Sequence, residues 1–194
     1  MMESIYDIPF NHIDGRQTSL AEFKGKVILL VNVASACGLT PQYKGLEALF
    51  EARATAGLVV VGFPANDFGA QEPGSNEEIA AFCSTTFDVS FPLAQKVAVK
   101  GPAQHPLYAY LTQACPVAVE THPGVMSAKL EGYGYRREKP TDILWNFEKF
   151  LIGREGEIIG RFNPDVAPDN PVLVAAIDVA LQAQLSLRAA VANG

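Results

Sequence analysis

Cysteine is scarce in this chain of 194 residues: Cys37, Cys83 and Cys115 are too few, and odd in number, for a structural disulfide framework. None stands in a C-x-x-C pair, which argues against a dithiol reductase. In a reducing compartment, a disulfide formed among them would be transient and catalytic. Histidine is equally sparse. His12, His105 and His122 are scattered without ligand spacing, and no glycine-rich phosphate loop is present, so neither a metal nor a bound cofactor is expected. Basic charge is also short: a net charge of -6 and a pI near 5.1 give no electrostatic reason to expect nucleic acid or an anionic membrane as partner. The small basic cluster of Arg136, Arg137 and Lys139 reads as a solvated face. No apolar run approaches the roughly 20 residues that cross a bilayer. The first residues show no basic segment followed by an apolar one, so a cytoplasmic location is expected. Internal repeats and low-complexity segments are missing as well.

What the chain does have is apolar substance. At 48% hydrophobic and 19% charged it supports a single domain over 1–194 with a sizeable core, a monomer being the favoured state. The centre of that core is Lys26 to Thr40, KVILLVNVASACGLT. Val27 to Val33 is a near-unbroken β-branched and apolar run, as in a strand covered on both faces, and Asn32 is its one polar interruption. Thr40 is read as the cap of a helix starting at Pro41, with Leu46, Leu49, Phe50 and Arg53 at helical spacing. Cys37 then lies in a turn near a helix N-terminus, where aligned peptide dipoles favour thiolate, the nucleophilic form. Free cysteine is also among the most buried residue types. From this stretch alone, Cys37 is either a reactive thiol or an inert core residue. Its neighbours Ala34, Ser35, Ala36 and Gly38 offer the sulfur little shielding.

Along the chain, Ile5 to Phe10 and Gln17 to Thr18 flank an Asp14-Gly15 turn and predict an N-terminal hairpin. Ser19 to Phe23 predicts one helical turn. Gly57 suits a left-handed helix end, and Leu58 to Phe63 reads as a second buried strand. Strand, helix and strand in succession imply a crossover and a parallel pair. PANDFGAQEPGS follows at the carboxyl end of that strand, the edge where sites form in open α/β sheets. Ser75 and Glu78 form a capping box for a helix from about Asn76 to Thr86 that contains Cys83. Leu93 to Val99 predicts an extended piece and Pro106 to Gln113 a short helix. Residues 115–141 read as long and irregular, beyond an ordinary connector. Phe147 to Ile152 and Glu157 to Phe162 predict a hairpin, and Asn170 caps a helix from Pro171 to roughly Leu187. The order βαβ, helix, ββα predicts an α/β, thioredoxin-like fold: a central mixed sheet flanked by helices, with an N-terminal β-hairpin.

Three blocks carry a resemblance. NVASACG at 32–38, GFPANDFGAQEPGS at 62–75 and ILWNFEKFLIGREG at 143–156 resemble, in order and spacing, the signature blocks of the glutathione peroxidase family. The likeness runs from about Ile5 to Leu185. It implies a thioredoxin fold and a peroxidase that reduces hydrogen peroxide and organic hydroperoxides, and it is strongest toward bacterial cysteine-containing, thioredoxin-dependent members. Residue by residue, the resemblance puts Cys37 at the peroxidatic position, Gln71 at the glutamine of the second block, and Trp145 and Asn146 at the pair of the third. A thiolate attacking a peroxide needs an anionic sulfur and a stabilised departing oxygen. The Gln71 amide, the Trp145 indole N–H and the Asn146 amide are neutral donors that favour the anion without locking it in an ion pair. The reaction leaves a sulfenic acid that another thiol must resolve. By the same resemblance that thiol is Cys83, giving a Cys37–Cys83 disulfide reduced by thioredoxin. If Cys83 is helical and distant when reduced, its helix must unwind before the two Cα atoms come within about 7 Å.

The chain departs from the family pattern at three places. Ala65 stands where cysteine is common, Asp67 where glutamine is common, and Ala36 where a lysine often precedes the catalytic cysteine. Without that lysine, thiolate stabilisation rests on dipoles and neutral donors. Cys115 is assigned no role. Two alternatives remain at this level: a one-cysteine peroxidase reduced by glutathione, and a non-catalytic redox sensor or binding protein using the same Cys37.

Overall fold

A computed structural model describes residues 4–192. Ser4 caps a short 3-10 turn at Ile5–Asp7, so the predicted first strand is cut back to Pro9–Asn11 (β1). β1 pairs antiparallel with Gln17–Ser19 (β2) across the Asp14-Gly15 turn. The shortening has a packing reason. Ile5, Tyr6 and Ile8 are spent covering the underside of the main sheet rather than alternating along a ribbon.

Val27–Val33 (β3) is the middle of the fold. It runs parallel to Leu58–Pro64 (β4) and antiparallel to Lys149–Ile152 (β5), and Ile158–Phe162 (β6) completes the order β4-β3-β5-β6. All of β3 and β4 is buried because helices or the hairpin cover both faces. On one face Leu29, Val31 and Val33 meet Gln42–Arg53 (α1), Asn76–Phe87 (α2) and the C-terminal helix that starts at Pro171. On the other, Ile28 and Leu30 meet Pro106–Ala114 (α3) and the N-terminal hairpin. α1 links β3 to β4 and its end turns at Gly57, whose φ of 105° only glycine adopts without strain. The Ser75–Glu78 capping box starts α2, closed by backbone and side-chain bonds in both directions.

The predicted irregular segment 115–141 contains a helix, Val125–Gly132 (α4). No polar cap announces it. Its N-cap is Gly124 at a φ of 76°, a start that leaves no side-chain signature. Buried Arg161 on β6 clamps both ends of this segment. Its guanidinium donates to the Cys115, Pro116, Thr141 and Asp142 carbonyls at 3.0–3.2 Å and pairs with buried Glu148. The last helix, Pro171–Ala192 (α5), is capped by Asn170, whose Oδ1 accepts from Val172 N–H at 3.0 Å.

Candidate active site

At the end of β3 the chain enters a turn that Thr40 closes on itself. Thr40 does not cap α1, as its sequence position suggests. Its buried hydroxyl donates to the Ala34 carbonyl (2.7 Å) and accepts from Cys37 N–H (2.9 Å), while Thr40 N–H donates to the Cys37 carbonyl (3.0 Å). The correction is physical: a buried turn has its own polar groups to satisfy before a helix start that faces water. The closed turn sets Leu39 N–H 3.3 Å from Cys37 Sγ. That N–H is a donor placed on the sulfur by the backbone of the turn itself.

Cys37 is more enclosed than its small neighbours suggest, at 8% exposure. Cys37 nonetheless lines, with Leu39, Gln71 and Trp145, one cleft of about 440 Å³. Gln71 arrives from the loop after β4, where consecutive left-handed residues Gly69 and Ala70 (φ of 63° and 52°) turn the chain back. The Gln71 carbonyl accepts from Ala36 N–H (3.0 Å), tying this loop to the cysteine turn. Asn146 stands behind Gln71, fully buried and outside the cleft lining. Its Nδ2 donates to Gln71 Oε1 at 2.9 Å. With that oxygen engaged, the Gln71 amide N–H₂ is the donor left for the cleft. The Trp145 ring packs against Phe68 and Tyr135, with centroids 5.3 and 5.0 Å away.

The far wall of the cleft comes from α4 and the residue after it: Met126, Lys129, Leu130 and Tyr133. The sequence offered no signal for these beyond the unusual length of 115–141. Asp67 accepts from Val99 N–H (2.7 Å), and burial pushes its carboxyl up. Ala65 is fully buried.

Cys83 is not brought to this cleft. It lies in α2 at 1% exposure, in the same apolar cluster as Cys37 and Tyr43. Burial pushes its thiol up to about 11; Tyr43 moderates the rise and Glu72 adds to it. Cys115 packs against the opposite face of the sheet. Among the described residues no three His, Cys, Asp or Glu side chains gather as a metal site, and no helix is long and apolar enough to cross a membrane.

The sequence pattern of the glutathione peroxidase family matches residues 5–112. The chain belongs to that family. It is 48% identical over 181 residues to the thioredoxin/glutathione peroxidase BtuE of Escherichia coli K12, covering 93% of this chain and 99% of that protein. It is 45% identical over 166 residues to the hydroperoxy fatty acid reductase gpx1 of Synechocystis, with 86% and 90% covered. Among solved structures, that of Trgpx in its apo form shares 32% identity and a TM-score of 0.67, covering 93% of this chain and 97% of that one. The fold of this glutathione peroxidase family member is accordingly thioredoxin-like, with a mixed four-stranded sheet between helices and an N-terminal antiparallel hairpin. The protein is a peroxidase that draws on a thiol reductant.

Proposed function

We propose that Cys37 is the peroxidatic residue of a two-cysteine cycle regenerated by thioredoxin, acting on hydrogen peroxide and organic hydroperoxides in the cytoplasm. The observation that carries this reading is the Leu39 N–H on Cys37 Sγ at the base of a cleft also lined by Gln71 and Trp145. In the first step the Cys37 thiolate attacks one peroxide oxygen. The O–O bond breaks, the departing oxygen takes a proton to leave as water or alcohol, and sulfur becomes sulfenic acid. The Gln71 amide and Trp145 indole N–H are the donors available to the oxygen that acquires charge, held by Asn146 and by the Phe68–Tyr135 aromatic wall.

In the second step the Cys83 sulfur attacks the sulfenic sulfur, forming the Cys37–Cys83 disulfide and releasing water. A dithiol of thioredoxin then exchanges with the disulfide and is itself oxidised. The burial of Cys83 supports a resolving step that opens α2. Opening exposes the thiol, removes the burial that holds it at about 11, and makes the nucleophilic thiolate accessible. The high similarity to a protein named for both reductants leaves glutathione as the competing electron donor.

The test is peroxide consumption by the intact chain, measured separately with a thioredoxin-regenerating system and with glutathione plus its reductase. The expected result is sustained turnover with thioredoxin and slow turnover with glutathione. Equal or faster turnover with glutathione in a Cys83→Ser variant would establish the one-cysteine cycle instead. Rapid Cys37 oxidation with no turnover from either donor would mark a sensor.

A further inference from the structure

Asn32, the lone polar residue of β3, is fully buried, and so is Lys149 at the start of β5. Neither lines the Cys37 cleft, and neither is needed to complete the sheet, where an apolar side chain would pack at no polar penalty. Their hydrogen bonds converge on one corner of the chain. Asn32 Nδ2 donates to the Trp145 carbonyl (3.1 Å), and the Asn32 carbonyl accepts from Phe147 N–H (2.6 Å). Lys149 Nζ donates to the Phe147 carbonyl (2.6 Å) and reaches the Pro164 carbonyl at 3.5 Å. Phe147 itself sits at a φ of 68°, a left-handed conformation that a bulky residue holds only when its surroundings enforce it.

Between the two held carbonyls stands Asn146, whose amide donates to Gln71. We infer that Asn32 and Lys149 are positioning residues that lock the Trp145–Asn146–Phe147 corner, so that Asn146 fixes which way the Gln71 amide faces in the Cys37 cleft. Relaxing the corner changes the backbone angle at Phe147 and swings the Asn146 amide. Gln71 is then free to turn its oxygen toward the sulfur, replacing attraction for the thiolate with repulsion. Burial depresses the Lys149 ammonium to about 7, against the pull of Glu148 and Asp165. Its contacts to the Phe147 and Pro164 carbonyls are ones an apolar side chain could not make. The inference rests on Cys37 being the peroxidatic thiol.

The experiment follows loss of the Cys37 thiol in the full-length protein after a single addition of hydrogen peroxide, by rapid quench with an alkylating agent and mass spectrometry. No reductant enters, so only the first step is read. Asn146→Ala should slow oxidation about 100-fold, and Asn32→Leu about 10- to 100-fold. Lys149→Met, which removes one partner of the Phe147 carbonyl, should slow it roughly fivefold to tenfold. Because Asn32 acts through Asn146, the double variant Asn32→Leu/Asn146→Ala should lie within about threefold of the slower single variant. Thermal unfolding of each variant separates this effect from loss of fold, and Lys149→Met carries the test if Asn32→Leu does not fold. Folded variants that oxidise within twofold of wild type, or losses that multiply in the double variant, overturn the inference. Failure of both single variants to fold assigns the corner to folding alone and overturns it too. An inert Cys37 in the wild-type protein would instead sink the peroxidatic reading itself.

Discussion

Cys37 and Cys83 belong to one apolar cluster, yet their surroundings are opposite. Cys37 lies in a turn closed by Thr40, with the Leu39 N–H on its sulfur, and lines a cleft whose walls also carry Gln71 and Trp145. Cys83 is in mid-helix, beneath Tyr43 and near the Glu72 carboxyl, where burial pushes its thiol up to about 11. The same functional group lines a cleft in one place and is enclosed within a helix layer in the other. What separates them is backbone: the turn leaves the Leu39 N–H to meet the Cys37 sulfur, whereas a helix spends its N–H groups on its own carbonyls.

The sharpest way to break this contrast is at Cys37. Cys37→Ser should lower peroxide reduction by about a thousandfold or more, since Cys83 in its closed helix cannot substitute; coupled consumption assays measure this directly. Next in size, Gln71→Ala should slow the single-turnover oxidation of Cys37 about 100-fold and lower stability by about 1–3 kcal/mol, because a cleft donor is lost and buried Asn146 Nδ2 loses its acceptor. Cys83→Ser should divide the two steps. Oxidation of Cys37 by the first peroxide stays within twofold of wild type, and thioredoxin-supported turnover falls about tenfold or more.

The smallest effect lies far from both thiols, in the N-terminal hairpin. His12 Nε2 sits 2.7 Å from Glu22 Oε2, and this contact, followed by that of Thr18, lowers the Glu22 carboxyl from 4.5 to about 2. A folded-state value below the unfolded one means stabilisation that is complete above about pH 4.5 and is lost as the pH falls toward 2. Glu22 is largely solvated, so the effect is modest. His12→Gln should therefore flatten the acid arm of the stability curve, read by circular dichroism, without changing either thiol's reaction rate.

Much of the fold that carries the two cysteines is legible in the sequence. The apolar run of β3, the Ser75–Glu78 capping box and the Asn170 cap are local patterns, set by residues within a turn of one another. Two features were not legible, for different reasons. Thr40 carries the ordinary mark of a helix cap, but its burial redirects the hydroxyl into the cysteine turn, and burial is a tertiary fact. α4 begins at a left-handed glycine and is held by Arg161, which is distant in sequence from the clamped carbonyls. Asn32 lies between these cases. It stood out at once as polar among apolar neighbours, but its partner, the corner at Trp145 to Phe147, is more than a hundred residues away. The resemblance to known peroxidases named Gln71, Trp145 and Asn146; only the fold shows that Asn146 meets Gln71 and stands back from the cleft.

The division of labour between the two cysteines is tested most directly by mapping sulfur chemistry in time. The reduced protein would receive one equivalent of hydrogen peroxide, with aliquots trapped by a sulfenic-acid probe and a thiol alkylator before peptide mass analysis. The expected sequence is sulfenic acid at Cys37 first, followed by a Cys37–Cys83 disulfide with Cys115 still free. Sulfenic acid appearing first at Cys83 or Cys115, or Cys83 remaining alkylatable after Cys37 is fully oxidised, would contradict it.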